Sequence, residues 1–377
     1  MEKIFTPYRI CPLGAHVDHQ LGLVTGFALD YGMTLTYEPE PSGRIYLISK
    51  NFTGRARTTV HKITNKTGEW GDYLRAAVAA LLHADYELDV GFKGVIEGTL
   101  PIGGLSSSAA IIISYLRALC KLNKIKLTPE QLVALSHYAE ATYIGLNNGI
   151  LDQSCEVYSK KNGLLYLDTK TETYKIIPQS KRMPHYEFAI VFSGVEHALI
   201  NSAYNSRVDE CKAAAYALKA YSGMPYNKVA DSVLGDIDHE IYEKYKKKLP
   251  KNWQKRAEHF YSEVERVSQG VEAWRKGDLR TFGKLVFASG DSSINNYESG
   301  SPELKKLHEI ALHTDGIYGG RFSGAGFKGC YMAIIDPRHA QKIKEVFQQE
   351  YLAAFPDMAP RFSVHICHPA DGVHLPK

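Results

Sequence analysis

Cysteine is scarce in this 377-residue sequence: Cys11, Cys120, Cys155, Cys211, Cys330 and Cys367 are scattered without paired spacing. That argues against a disulfide framework and fits a reducing cytoplasm. No run approaches 18 apolar residues, and the opening MEKIFTPYRI lacks the apolar segment of a signal peptide, so membrane attachment is not expected. Neither sign of charge dominates, with 45 Lys and Arg against 41 Asp and Glu. A nucleic-acid partner is therefore not expected, and the densest basic stretch, Lys244 to Lys248, reads as a solvated helix face. Internal repeats and low-complexity tracts are also missing. What is present is a chain too long for one core, with 44% hydrophobic residues to fill two.

The most informative stretch is Leu100 to Ile113, LPIGGLSSSAAIII. Gly103 and Gly104 allow a tight turn and close approach to a ligand, and Ser106, Ser107 and Ser108 offer hydroxyls and amides where a helix begins. Gly91 to Gly98 reads as the strand before this loop and Ser106 to Lys121 as the helix after it. Strand, tight loop and helix make a plausible phosphate cradle, although no Lys closes the loop as in GxxxxGK[ST]. A glycine turn feeding a serine-capped core helix is the plainer alternative.

Upstream, Gly22 to Leu29, Met33 to Tyr37 and Arg44 to Ser49 read as strands, and Trp70 to Tyr86 as an amphipathic helix. A helix is expected from Thr128 to Tyr143, capped by Thr128-Pro129-Glu130-Gln131. Asn147-Asn148-Gly149 then breaks the chain before a short helix carrying Asp152 and Gln153. Gly163 to Asp168 and Tyr186 to Phe192 read as strands, and the polar stretch Lys170 to Pro184 as the crossing between domains. Mostly helical sequence follows from Asn201 to Leu312, including Trp253 to Arg275, before strands return at Gly320 to Ser323, Cys330 to Ile335 and Ser363 to Cys367. The expected class is α+β, with one domain over residues 1–180 and a second over 181–377, the latter with helices on a small antiparallel sheet. His365, Cys367, His368 and His374 have metal-ligating side chains, but on a strand His368 faces away from His365 and Cys367, a poor geometry for closed tetrahedral zinc.

Arg9-Ile10-Cys11-Pro12-Leu13-Gly14-Ala15-His16-Val17-Asp18-His19, the glycine and serine loop, Gly149-Ile150-Leu151-Asp152-Gln153 and Ser323-Gly324-Ala325-Gly326-Phe327-Lys328-Gly329-Cys330 occur in that order. In these stretches the chain resembles the GHMP small-molecule kinases, within them the galactokinase branch, and most the galacturonokinase members. The resemblance implies a two-domain fold with the active site in the cleft between domains, ATP and Mg2+ as cofactors, and a small-molecule sugar or sugar-acid substrate. A monomer or weak dimer is expected.

By the same resemblance, Asp152 is the catalytic carboxylate and Arg9 its partner, whose charge would hold that carboxylate ionised. Glu140 and Ser108 would hold Mg2+, which needs few protein ligands. ATP would lie along Gly103, Gly104, Ser106, Ser107 and Ser108, with Trp70 near the adenine, and the late glycine loop would close against the site. His16, Asp18, Gly149 and Tyr204 would contact the sugar. Ala15 stands where galactokinases carry a Glu that bonds the sugar's primary hydroxyl, and a carboxylate-bearing sugar would be repelled by that Glu. His19 and Lys328 are candidate donors to such a carboxylate. The loop is one residue shorter before its serines than in typical galactokinases, and Ala325 and Lys328 replace usual glycines. D-galacturonate is therefore the expected substrate, with galactose or arabinose as the neutral alternative. A silent sugar sensor of the same family would be expected to lose part of the serine loop or Asp152, and both are intact here.

Overall fold

The computed structural model describes residues 1–146, 148–195, 200–327 and 329–374, with backbone only for 200–203. The first sheet begins with β1 (Glu2–Ile10), β2 (Leu23–Glu40), β3 (Arg44–Ser49), β4 (Arg55–Thr59) and β5 (Gly91–Gly98), and continues with β6 (Gly163–Asp168) and β7 (Thr173–Pro178). Its strands run β4-β3-β5-β2-β6-β7, with β1 also on β2. All pairs are antiparallel except β3 with β5. The second sheet is antiparallel, ordered β11-β8-β10-β9 from β8 (Glu187–Phe192), β9 (Ile317–Phe322), β10 (Cys330–Ile335) and β11 (Ser363–Cys367). A last short strand, β12 (Pro369–Ala370), leaves the second sheet and pairs with β2 at Leu29 and Ala28.

Strand β2 is the spine of the first sheet, and here the sequence reading is corrected. Two strands broken near Gly32 were expected; one 18-residue strand is found. Gly32 is not a turn but a point of close approach, since a Cβ there would strike the Thr6 carbonyl and Pro7 of β1. The stretch taken as the domain crossing is likewise partly strand: β7 is an edge strand with Ile177 as its one buried residue, so its polar face masks it, and the crossing follows Pro178.

Helices α1 (Asp72–His83), α2 (Ser107–Leu122), α3 (Pro129–Tyr138) and α4 (Leu151–Tyr158) serve the first sheet. Helix α2 is almost wholly buried, which is why its sequence is apolar on every side. Thr128 and Gln131 form the expected capping box on α3. The regular helix then stops at Tyr138, and residues Ala139–Ile144 widen into a π-helical turn ended by Gly145 at φ 88°. Asn147 lies outside the described residues. The later helices are α5 (Ile200–Ser222), α6 (His239–Tyr245), α7 (Lys251–Lys276), α8 (Leu279–Asn295), α9 (Pro302–Leu312) and α10 (Ala340–Ala354); α8, α9 and α10 pack on the second sheet, whereas α7 packs on α5, α8, β2 and β7. Phe27 of β2, Phe188 of β8 and Trp274 of α7 meet in a buried aromatic group that joins the two sheets.

The four metal-like residues near the C-terminus do not gather. His368 binds Asp30 at 2.8 Å through Nδ1 and lies 3.3 Å from Glu187 through Nε2, bridging β2 and β8. Among the described residues no group of three or more His, Cys, Asp or Glu is arranged to hold a metal. The hydrogen bond that His368 donates to Asp30, against partial desolvation and with the charge of Asp30 adding to it, raises the pKa of His368 above 6.5. A raised pKa means a stabilising contribution that is complete below the unfolded value and fades as pH climbs through the folded one. His368→Asn should therefore lower Tm more at about pH 5.5 than at about pH 8.5, and a pH-independent difference would remove His368 as a charged link between the sheets.

Candidate active site

Arg9, on β1, is 5% exposed and reaches three segments at once. Its Nε donates to Asp152 Oδ1 at 2.7 Å, and NH1 donates to the Gly104 carbonyl at 3.0 Å and to Ser323 Oγ at 3.4 Å. Burial disfavours the guanidinium charge, but the field and hydrogen bond of Asp152 outweigh it and keep Arg9 protonated. The other Asp152 oxygen accepts a short hydrogen bond from the Ser106 hydroxyl. Ser106 stands at the N-cap position of α2, but its hydroxyl goes to Asp152 and not to the helix, so the plainer alternative of a serine-capped helix does not describe it. It sits in the left-handed region at φ 60°, makes no capping bond, and α2 starts one residue later. Ser107, the first helical residue, is half-buried.

The glycine pair is packed, not merely flexible. A Cβ on Gly104 would lie 2.9 Å from the Ser323 carbonyl, and one on Gly324 would lie 3.0 Å from Gly104 Cα. Gly103 has φ 137° and faces Gly329. The two glycine loops therefore touch backbone to backbone, which only residues without side chains permit. Trp70 does not line the cavity below. Its Nε1 donates to the Thr53 carbonyl at 3.0 Å and its ring stacks on Phe52, which lines another cavity of about 770 Å³ with Pro101 and Ile102.

Glu140, inside the π-helical turn, is 1% exposed. Oε1 accepts from Ser108 Oγ at 2.5 Å, and Oε2 from Asn148 Nδ2 at 2.9 Å and Gln153 Nε2 at 2.6 Å. These partners are all neutral. Burial first, then the charge of Asp152, raises the Glu140 pKa. A buried carboxylate beside a serine hydroxyl, with no cation paired to it among the described residues, is a hard-oxygen set that fits a small divalent cation.

Arg9, Ala15, His16, Asp18, Ser108, Glu140, Asp152 and Tyr204 all line one cavity of about 500 Å³. Gly149 does not line it but packs against Asp18, which does, and leaves no room for a side chain: a Cβ on Gly149 would be 2.5 Å from Asp18 Oδ2. Desolvation, then the charge of Asp152, raises the Asp18 pKa to about 6. His16 is 6% exposed, stacks on Tyr297 with centroids 4.3 Å apart, and leaves Nε2 without a hydrogen-bond partner. Burial lowers its pKa, so it is neutral. Ala15 offers the cavity a methyl group, while its carbonyl is held by His259 Nε2 at 2.9 Å. His19 is not free for a ligand, since Gln20 holds Nδ1 at 3.0 Å and Tyr297 holds Nε2 at 3.2 Å. Lys328 lies outside the described residues.

Several lining residues were not legible in the sequence. Tyr73 and Arg321, from α1 and β9, carry no local motif, and Asn205 of α5 stands beside Tyr204 without a signal of its own. Gln153 had a signal, its place beside Asp152, but its bond to Glu140 depends on the π-helical turn.

Residues 72–160 match the GHMP kinases N terminal domain, and residues 271–353 match the GHMP kinases C terminal family. The galacturonokinase of Arabidopsis thaliana is 38% identical over 99% of this chain and 93% of its own. The galactokinase of Roseiflexus sp. (strain RS-1) is 30% identical over 97% of this chain and 91% of its own. The structure of Lactococcus lactis galactokinase complexed with galactose superposes with a TM-score of 0.90 at 28% identity, covering 100% of this chain and 95% of that one. The chain belongs to the GHMP kinases. Within that family it is a sugar kinase.

The Asp18 carboxylate gives a test of the cavity itself. A raised carboxyl pKa costs stability as pH rises from 3.8 through about 6, because the folded state resists ionisation there. Asp18→Asn should accordingly raise Tm of the ligand-free protein at about pH 7.5, with the gain closing toward about pH 4. Equal Tm values across that range would show that Asp18 is not strained by burial.

Proposed function

We propose that the protein transfers the γ-phosphoryl group of ATP to the anomeric hydroxyl of D-galacturonate, giving the 1-phosphate. The observation that carries the substrate assignment is Ala15 in the cavity wall, beside His16 and Asp18. A Glu at this position would face the sugar's carboxylate. At an effective dielectric near 20, like charges about 4 Å apart cost roughly 4 kcal/mol, which is about a thousandfold in affinity. Alanine removes that cost and the acceptor a neutral primary alcohol would use.

Asp152 would orient the anomeric hydroxyl and take its proton as the sugar oxygen bonds to the γ-phosphorus and the bond to ADP breaks. The Ser106 hydroxyl already donates to Asp152 Oδ2, marking the oxygen that such a hydroxyl can use. Arg9 would hold the carboxylate in place through their 2.7 Å ion pair. In a loose phosphoryl transition state, placement and charge outweigh basicity. The phosphates would follow the Gly103 to Ser108 loop and the start of α2, where free amides and the helix dipole favour anions. The adenine would lie toward Phe52, which borders the cavity beside Ile102 and is backed by the stacked ring of Trp70. Ser108 and Glu140 would hold Mg2+, which when bound offsets phosphate charge. Asp18, Gly149 and Tyr204 would receive the sugar, and the unpartnered His16 Nε2 supports a polar ligand there.

Two measurements test this reading. In the unmodified protein, kcat/KM for D-galacturonate should exceed that for D-galactose, and Ala15→Glu should reverse the order; a preference for galactose would return the protein to the galactokinases. Asp152→Asn should lower turnover by roughly a hundredfold or more while ATP still binds, and near-normal turnover would move the base elsewhere.

A further inference from the structure

With His19 engaged by its neighbours, the cavity needs another source of positive charge for a sugar acid, and one is present on β9. We infer that Arg321 is the specificity-determining residue that binds the sugar's carboxylate, an inference that rests on the galacturonate reading above.

Arg321 lines the same cavity as Ala15, His16 and Asp152, yet is 1% exposed. Its Nε donates to the Phe322 carbonyl at 3.1 Å, NH1 to Ser289 Oγ at 2.6 Å and NH2 to Ser293 Oγ at 3.1 Å. A guanidinium carries five N–H groups, so each terminal nitrogen keeps one uncommitted among the described residues. Serines and a carbonyl satisfy donors without neutralising charge. The nearest carboxylate, Glu263, is 3.8 Å away and is already engaged: it pairs with Arg266 at 2.7 Å and accepts from Gly14 N at 2.8 Å and Ser289 Oγ at 2.5 Å. Two guanidiniums therefore share one carboxylate behind the Ala15 loop, leaving an excess positive charge at the cavity wall. Burial, only partly offset by Glu263, lowers the Arg321 pKa, as expected of a cation lacking a full partner.

Arg9 makes the contrast plain. It is just as buried, but its charge is answered by Asp152 at 2.7 Å. His16 next to Arg321 is neutral and adds no repulsion. A glutamate at position 15 would compete for Arg321; the alanine leaves the cation available to the ligand. A carboxylate suits a planar guanidinium with paired donors.

The test compares Arg321→Gln with the unmodified protein, measuring kcat/KM for D-galacturonate and D-galactose and Tm for both proteins. The galacturonate-to-galactose ratio should fall by about a hundredfold, the scale of losing a charge-assisted contact. If Arg321 only ties β9 to α8, both sugars lose equally and the ratio stays fixed, which overturns the inference. Arg321→Lys serves if the glutamine variant does not fold: it keeps the charge but not the paired planar donors, so the ratio should drop about tenfold, and an unchanged ratio again overturns the assignment. The unmodified protein's own preference judges the galacturonate reading, whereas the change in ratio on substitution judges Arg321, so the two can fail separately.

Discussion

A single buried guanidinium holds the catalytic half of this molecule together. Arg9 leaves the first strand and bonds Asp152, the carbonyl of Gly104 and the hydroxyl of Ser323, three segments far apart in sequence. An unpaired cation in that position would be expensive, so folding is driven toward the arrangement in which all three are present. The backbone contact of the two glycine loops then follows, because Gly104 and Ser323 are both tied to the same side chain. The aim of Arg9 is in turn set by the register of β1 on β2, which shifts between Pro7 and Arg9.

The carboxylates around it divide according to their partners. Asp152 has its cation, whereas Asp18 and Glu140 have none paired to them among the described residues, and desolvation with the charge of Asp152 raises the pKa of both. Glu156, one turn beyond Asp152 on α4, is wholly buried, and desolvation pushes its pKa up. A site with more acids than cations is poised to take up positive charge and hydroxyl donors. At Arg321, where two guanidiniums share Glu263, the imbalance is reversed. The cavity thus holds a buried carboxyl at Glu140 and a buried guanidinium at Arg321, charges of opposite kind within one space.

What the sequence disclosed was mainly local. Gly91 to Gly98, Gly163 to Asp168, Cys330 to Ile335 and Ser363 to Cys367 are strands within the bounds read from their apolar runs, and Thr128 caps its helix as its neighbours suggested. Nonlocal features were hidden. Gly32 looks like a break because the crowding that demands it comes from β1, and the π-helical turn at Glu140 has no composition that distinguishes it from the helix before it. Ser106 was legible as a loop serine but not as a partner of Asp152, a contact that spans 46 positions. Arg321 was the least visible: an arginine on a strand reads as solvent-facing until the packing of α7 and α8 around it is known.

The return of β12 to β2 bears on how the chain folds as it is made. The first sheet starts at residue 2, yet Leu29 and Ala28 receive their partners, Pro369 and Ala370, only after the entire second sheet has been synthesised. Phe5 is likewise bridged to His374. The second sheet is therefore an insertion within the first, and the amino-terminal half cannot reach its final state as an independent unit on the ribosome. Its completion is a late step that also latches the two halves together, so active enzyme should emerge only once the last strand clears the exit tunnel.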